Sequence, residues 1–196
     1  MRPIARYILA AAVVIAIVLW LAGCTPGDAA DSPGYVSGDG TVTIFDNSTT
    51  ELTVTGTSFA GEPIDTSDYR GQVVLINTWY ATCPPCRAEA PLLVEMDARD
   101  DVQVVGVNRD DEASTVAAFD RTFGVEYPSI DASDGHAIAQ LQGKVSIAAV
   151  PTTLVVRPDG TLYARILGEA DESTLKSLIE DAGAVGTTGA TGTPSP

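Results

Sequence analysis

Cys83-Pro84-Pro85-Cys86 stands between the apolar run Val73-Val74-Leu75-Ile76 and a helix-like stretch from Arg87 to Arg99. Two cysteines two residues apart can hold a metal, close a structural bridge or cycle between dithiol and disulfide. A structural zinc site needs four Cys or His ligands. The only other cysteine is Cys24, and the only histidine, His136, reads as a surface residue near the start of a short helix. No metal and no cofactor are therefore expected. A bridge across two residues closes a loop too short to remove much chain entropy. The reading that explains the spacing best is a redox-active pair.

Position supplies the chemistry. If strand 73–78 runs into a helix beginning near Pro84, Cys83 sits at the helix N-terminus, where unpaired N–H groups and the dipole favour a negative charge. That lowers the thiol pKa and makes Cys83 the exposed nucleophile. Cys86, one turn further in, is the partner that resolves a mixed disulfide. Pro84 is tolerated because the first helical turn needs no N–H there. Pro91 is expected to kink the helix without ending it, since Leu92, Leu93 and Met96 continue an apolar face.

The 196 residues suffice for one ordinary domain with appendages, and a formal net charge of −15 argues against a nucleic-acid partner and against docking on anionic lipid by charge. Residues 1–23 read as a signal segment: Arg2 and Arg6, an apolar run from Tyr7 to Ala22, then Leu21-Ala22-Gly23-Cys24. The run is short for a membrane span, which needs about 20 residues. Its ending resembles a bacterial lipobox, so Cys24 is the expected lipidation site, with an uncleaved anchor as the alternative. Either way the domain faces the oxidising side of the membrane.

Residues 24–40, rich in Gly, Asp, Ser and Pro, read as a flexible tether. Thr41 to Phe45 and Glu51 to Thr55 alternate in strand fashion around Asp46-Asn47-Ser48, which predicts a β-hairpin extension over 41–55. Val102 to Asn108 reads as a buried parallel strand, and Asp110 to Gly124 and Ser133 to Gln142 as helices. Thr152 to Arg157 and Thr161 to Leu167 are strands joined at Pro158-Asp159-Gly160. Asp171 caps a closing helix to Asp181, and residues 183–196 have no core to bury. A βαβ start followed by an antiparallel hairpin implies an α/β domain, with a mixed central sheet flanked by helices on both faces.

The chain resembles the thioredoxin superfamily over residues 56–182, and more closely its TlpA/ResA branch of membrane-tethered thiol-disulfide oxidoreductases. The resemblance rests on an ordered set of motifs: Gly71 to Asn77, Trp79, Cys83 through Pro91, Val105-Gly106-Val107-Asn108, Val150-Pro151-Thr152-Thr153 and Pro158-Asp159-Gly160. It implies a thioredoxin-like fold with the N-terminal β-hairpin extension added, and a cis Pro151 beside the disulfide. Trp79, Val150 and Pro151 then serve substrate binding, the Val150 backbone pairing with an extended client segment.

Two departures matter. Asn77 stands where thioredoxin itself has a buried Asp, as in the TlpA/ResA branch. In that branch a loop carboxylate serves near the dithiol, and Asp111 matches it best, with Glu112 beside it. The same residues could equally form a helix-capping acidic cluster. Thr82 stands where many relatives have Trp, which leaves the groove shape open.

The resemblance implies a lipid-anchored, extracytoplasmic reductase of client disulfides. Apocytochrome c motifs during cytochrome c maturation are the expected client, and a CcdA-type membrane electron donor is the expected partner. General disulfide oxidation, a peroxiredoxin-related thiol peroxidase and a non-enzymatic binding lipoprotein are the alternatives. The peroxidase context, Pro-x-x-x-Thr-x-x-Cys, surrounds neither Cys83 nor Cys86.

Overall fold

A computed structural model of the chain describes residues 35–37, 40–45, 48–144 and 149–186. The expected signal segment 1–23, Cys24, the tether up to residue 34, Asp46-Asn47 of the expected hairpin turn, and residues 187–196 lie outside the described residues.

Nine strands, four α-helices and one 3-10 turn follow one another among the described residues. In chain order they are β1 (Tyr35–Ser37), β2 (Gly40–Ile44), β3 (Thr55–Thr57), β4 (Pro63–Asp65), the 3-10 turn Thr66–Tyr69, β5 (Val73–Thr78) and α1 (Pro84–Asp97). Then come β6 (Val102–Asn108), α2 (Ala113–Phe123), β7 (Ser129–Asp131), α3 (His136–Gln140), β8 (Thr152–Val156), β9 (Leu162–Leu167) and α4 (Glu172–Gly186). Seven strands form one sheet in the order β1-β2-β9-β8-β5-β6-β7, while β3 and β4 pair separately. β5 is parallel to β6 and antiparallel to β8, so the sheet is mixed as the sequence implied.

The period-2 pattern of β5 decides how the layers stack. Val73 and Leu75 join one cluster with Leu93 and Met96 of α1 and Leu175, Leu178 and Ile179 of α4. Val74 and Ile76 face the other way, into a cluster with Ala137 and Leu141 at α3 and with Leu52, Val54 and Ile64. Both faces of β5 are therefore buried, which is why it reads as a continuous apolar run.

α1 runs unbroken through Pro91. Gly124 closes α2 at φ 71°, a left-handed position that glycine adopts without steric cost. Asp171 caps α4, its Oδ1 accepting from Thr174 N at 3.0 Å, and His136 lies exposed at the start of α3.

Two expectations are corrected and one strand is added. The hairpin over 41–55 does not form. β2 pairs with β9, Thr41 opposite Leu167 and Ile44 opposite Ala164, and β1 extends it on the other side. The N-terminal hairpin is thus β1–β2, so residues 35–37 and Gly40 belong to strands and not to a tether. Alternation in 41–45 encodes that one face is buried, not which strand lies alongside. Residues 50–52 instead cross the β8–β9 turn, Leu52 N donating to Gly160 O and Leu162 N to Thr50 O. Second, α4 continues to Gly186, so residues 183–186 are helical and not part of a tail. The added strand, β7, was not foreseen, because three residues are too few to show a period.

Candidate active site

α1 starts at the end of β5, and Cys83 is its N-cap. Pro84 and Pro85 occupy the first helical positions and carry no N–H. The first amide of the helix is therefore that of Cys86, and it points at the Cys83 Sγ, 3.2 Å away. Cys83 and Cys86 form a disulfide with their Cα atoms 5.3 Å apart. On reduction, the one free N–H of the first turn and the positive end of α1 both favour charge on Cys83. The expectation of an exposed nucleophile is corrected, however. Cys83 is only 1% exposed and Cys86 2%, because Trp79, Ala81, Ala90, Val116 and Phe119 cluster around them, with Phe59, Tyr80 and Val150 packed alongside.

The Val150–Pro151 peptide bond is cis. The Val150 carbonyl oxygen lies 4.0 Å from Cys83 Sγ, so this segment borders the disulfide. Trp79 was expected among substrate-binding residues, yet it is 4% exposed and its ring lies 4.4 Å from that of Phe119. Its place is behind the disulfide, as part of the wall.

Asp111 and Glu112 separate clearly. Asp111 Oδ2 accepts from Ala81 N at 2.6 Å and from Asn108 Nδ2 at 2.8 Å. Arg87 Nη1 donates to Ala81 O at 3.1 Å, and its guanidinium stacks 4.9 Å from the Phe123 ring. The peptide groups flanking Ala81, two residues before Cys83, are thus held from one side by Asp111 and from the other by Arg87. Glu112 is exposed and is the N-cap position of α2, without a side-chain capping bond. Asp111 is brought to the redox loop and Glu112 is not.

Glu89 is the functional candidate that the sequence reading did not single out. One turn below Cys86, it is 2% exposed. Its Oε1 accepts from Asn77 Nδ2 at 2.8 Å and its Oε2 from Ala170 N at 3.1 Å. Burial pushes its pKa up to about 7, partly opposed by the bonds from Ala170 and Asn77. A signal was available: Cys86, Glu89, Ala90, Leu93 and Met96 form the buried stripe of α1, and an acid at such a position is rare unless it has partners.

A row of residues across four strands underlies this arrangement. Asn77 pairs with Thr153 on β8 and with Gly106 on β6, and Gly106 pairs with Ser129 on β7. Directly paired residues share a sheet face, so Thr153, Asn77, Gly106 and Ser129 lie on the face that carries α1. Asn77 also donates to Thr153 Oγ1 at 3.0 Å. A Cβ at Gly106 would collide with Ser129 Oγ and approach Trp79 Nε1 to 2.7 Å. The indole therefore needs glycine at this position. Among the described residues no group of His, Cys, Asp and Glu could hold a metal ion.

Residues 47–165 match the AhpC/TSA family. The chain is 31% identical over 122 residues to the thiol:disulfide interchange protein HelX of Rhodobacter capsulatus, covering 62% of this chain and 67% of that protein. It is 27% identical over 122 residues to the thiol-disulfide oxidoreductase ResA of Bacillus subtilis, covering 61% and 66% of the two chains. Among solved structures, a DsbF homologue from Corynebacterium diphtheriae superposes with a TM-score of 0.63 at 26% identity, over 75% of this chain and 96% of that one. A thioredoxin family thiol:disulfide interchange protein from Chlorobium tepidum TLS superposes with a TM-score of 0.62 at 24% identity, over 69% and 96%. The latter likeness is one of fold.

Proposed function

The chain belongs to the AhpC/TSA family as a thioredoxin-fold thiol-disulfide oxidoreductase, and on that premise we propose that it reduces disulfides in client proteins on the outer face of the cytoplasmic membrane. Its redox group is the Cys83–Cys86 pair, and enzymes of this class use no other cofactor. The observation that carries the proposal is the Cys86 amide aimed at Cys83 Sγ, 3.2 Å away at the start of α1.

In the reduced enzyme the Cys83 thiolate attacks one sulfur of the client disulfide. A mixed disulfide forms and the other client sulfur leaves as a thiolate. Cys86 then gives up its proton and attacks Cys83 Sγ, which forms the enzyme disulfide and releases the client as a dithiol. Two electrons pass from enzyme to client, and an external dithiol must restore them. Glu89, one turn below Cys86 with a pKa near 7, is the group suited to take the Cys86 proton. Asp111 acts as a positioning residue, because its Oδ2 already accepts from Ala81 and Asn108. Val150, beside the cis Pro151, offers its backbone to an extended client segment.

The finer reading follows from the resemblance to the TlpA/ResA branch. The client is apocytochrome c, whose cysteine pair must be open before haem attaches, and the electron donor is a membrane protein of the CcdA type. Cys24 carries lipid and anchors the enzyme outside the membrane. Among the described residues no helix is long and apolar enough to cross a membrane. The thiol peroxidase reading is not favoured: Cys83 is preceded at the relevant spacings by Tyr80 and Ile76, where that chemistry requires Thr and Pro.

Deleting the protein should lower covalently bound c-type haem, and an added small thiol should restore it. Unchanged c-type haem in a strain without a redundant reductase would reject this client. Mass analysis of the membrane fraction should show a diacylglyceryl-modified Cys24 at the new N-terminus, and an intact Met1 would reject the lipid anchor.

A further inference from the structure

α2 meets the turn between β3 and β4 beside the edge strand β7, where Ser58 and Ile130 form a single bridge. Between them lies a pocket of about 380 Å³, lined by Ser58, Phe59, Ala60, Ala113, Val116, Ala117, Asp120 and Ser129. The α2 contribution follows helical spacing, with positions 113, 116, 117 and 120 on one face. Two of these are alanine, and that keeps the pocket open.

The pocket and the redox centre share a wall. Val116 belongs to the cluster that buries Cys83 and Cys86, and Phe59 packs against that cluster. Ser129 ends the row that begins at Thr153 and passes Asn77, whose amide holds Glu89. The pocket therefore adjoins the hydrophobic wall of the redox centre.

What fills the pocket is indicated by unmet hydrogen bonds. Asp120 Oδ1 and Ser129 Oγ are buried without a partner, and so is Trp79 Nε1 near the Ser129 hydroxyl over Gly106. Ser129 is 8% exposed. Asp120 is partly buried, and its Oδ1 has no donor; an unpaired buried oxygen is costly. Apart from Ser58 and Ser129, the rest of the lining is apolar: the Phe59 ring, Val116 and three alanines. Burial pushes Asp120 up to about 6, with a smaller opposing pull from Arg121. The complementary ligand has a long aliphatic or aromatic body, a positive nitrogen at its tip, and a ring face to run along. The net charge of −15 also favours the approach of basic clients.

We propose that this pocket is a specificity subsite that seats a basic side chain of the client, paired with Asp120, while the neighbouring cysteine is attacked by Cys83. The inference rests on the reductase reading and names its substrate class. It predicts which disulfides are reduced fastest, and it gives Asp120 a role in recognition separate from the thiol chemistry.

The test uses the full reduced enzyme and short peptides containing one internal disulfide. Lysine, norleucine or glutamate is placed in turn at each of the five positions on either side of the cysteine pair. The wild type should reduce the lysine peptide with kcat/KM about tenfold above the norleucine peptide at one or two of those positions, chiefly through KM. Asp120→Asn should bring the two peptides level. Ala117→Leu, which fills the pocket from α2 and leaves the carboxylate in place, should do the same. Circular dichroism and thermal midpoints check that both variants are folded. Equal rates for lysine and norleucine at every position in the wild type would overturn the subsite. A lysine preference that survives both substitutions would overturn it too, by locating recognition elsewhere. Failure of the wild type to reduce any peptide or protein disulfide would instead overturn the reductase reading.

Discussion

Glu89 and Asn77 are buried against each other, the carboxyl Oε1 accepting from the amide Nδ2 at 2.8 Å. The pair joins α1 to β5 and sets an ionisable group one turn below Cys86. Asn77 lowers the proton affinity of that carboxyl and burial raises it, with burial the larger effect.

Glu89→Gln should remove the inflection near pH 7 from the single-turnover rate at which Cys86 releases a mixed disulfide, and should slow that step at least about tenfold. The amide keeps a carbonyl to accept from Ala170 or Asn77, so the oxidised fold should persist. An inflection near 7 that survives in the variant would assign the proton to another group.

Stability should carry the same signature. The folded pKa of Glu89 is raised from 4.5 to about 7, so the native state binds the proton more tightly than the unfolded chain. Its contribution is fully present below about pH 4.5 and is lost as pH rises through about 7, on the order of 3 kcal/mol in all. Urea midpoints of the oxidised enzyme between pH 4.5 and 8 should fall relative to those of Glu89→Gln. Parallel curves for the two proteins would contradict the assignment.

Reduced Cys83 should alkylate at least about tenfold faster than Cys86 at neutral pH, because the Cys86 amide and the end of α1 favour its thiolate. Cys86→Ser should accumulate mixed disulfides with clients, whereas Cys83→Ser should trap none. Since the two sulfurs are bonded to each other in the oxidised state, labelling is compared in the reduced protein. Faster modification of Cys86 would reverse the roles.

Asp111→Ala removes the acceptor for both Ala81 N and Asn108 Nδ2. It should cost about 1–3 kcal/mol in urea unfolding and slow attack by Cys83. Asp111→Asn keeps one oxygen and should recover part of both losses. Glu112→Ala, at an exposed position, should change neither by more than about 0.5 kcal/mol or twofold. Equal effects at the two sites would make them a shared charge effect and not a contact at Ala81.

Gly106→Ala drives a methyl group into Ser129 Oγ and towards Trp79 Nε1. A loss of about 1–3 kcal/mol and a shift in Trp79 emission are expected. Ser129→Ala in the same protein should restore part of the loss, since it removes the nearer obstacle. No recovery would place the strain elsewhere.

The sequence by itself determined a good deal of this molecule. The spacing of Cys83 and Cys86, the apolar run before them and the helix after them are local facts, and local periodicity carries them reliably. β5 was expected to span the residues it does, Asp171 was expected to cap the last helix, and the mixed sheet followed from the order of elements. The family resemblance added a cis Pro151, which the fold contains.

What only the tertiary structure decided are relationships between distant residues. Alternation in Thr41 to Phe45 fixes that one face is buried, yet β9, more than a hundred residues away, supplies the partner. Asp111 and Glu112 are indistinguishable neighbours in sequence, and only the path of the chain after β6 brings one of them to Ala81 and leaves the other in solvent. Glu89 lay within a motif already singled out, but its proton affinity comes from burial of the inner face of α1 and from Asn77 and Ala170, which no reading of α1 alone contains. The same holds for the covering of Cys83. Periodicity along a chain records which face is hidden from water. The groups that hide it, and hence its electrostatics, are set by contacts that exist only once the sheet has closed around them.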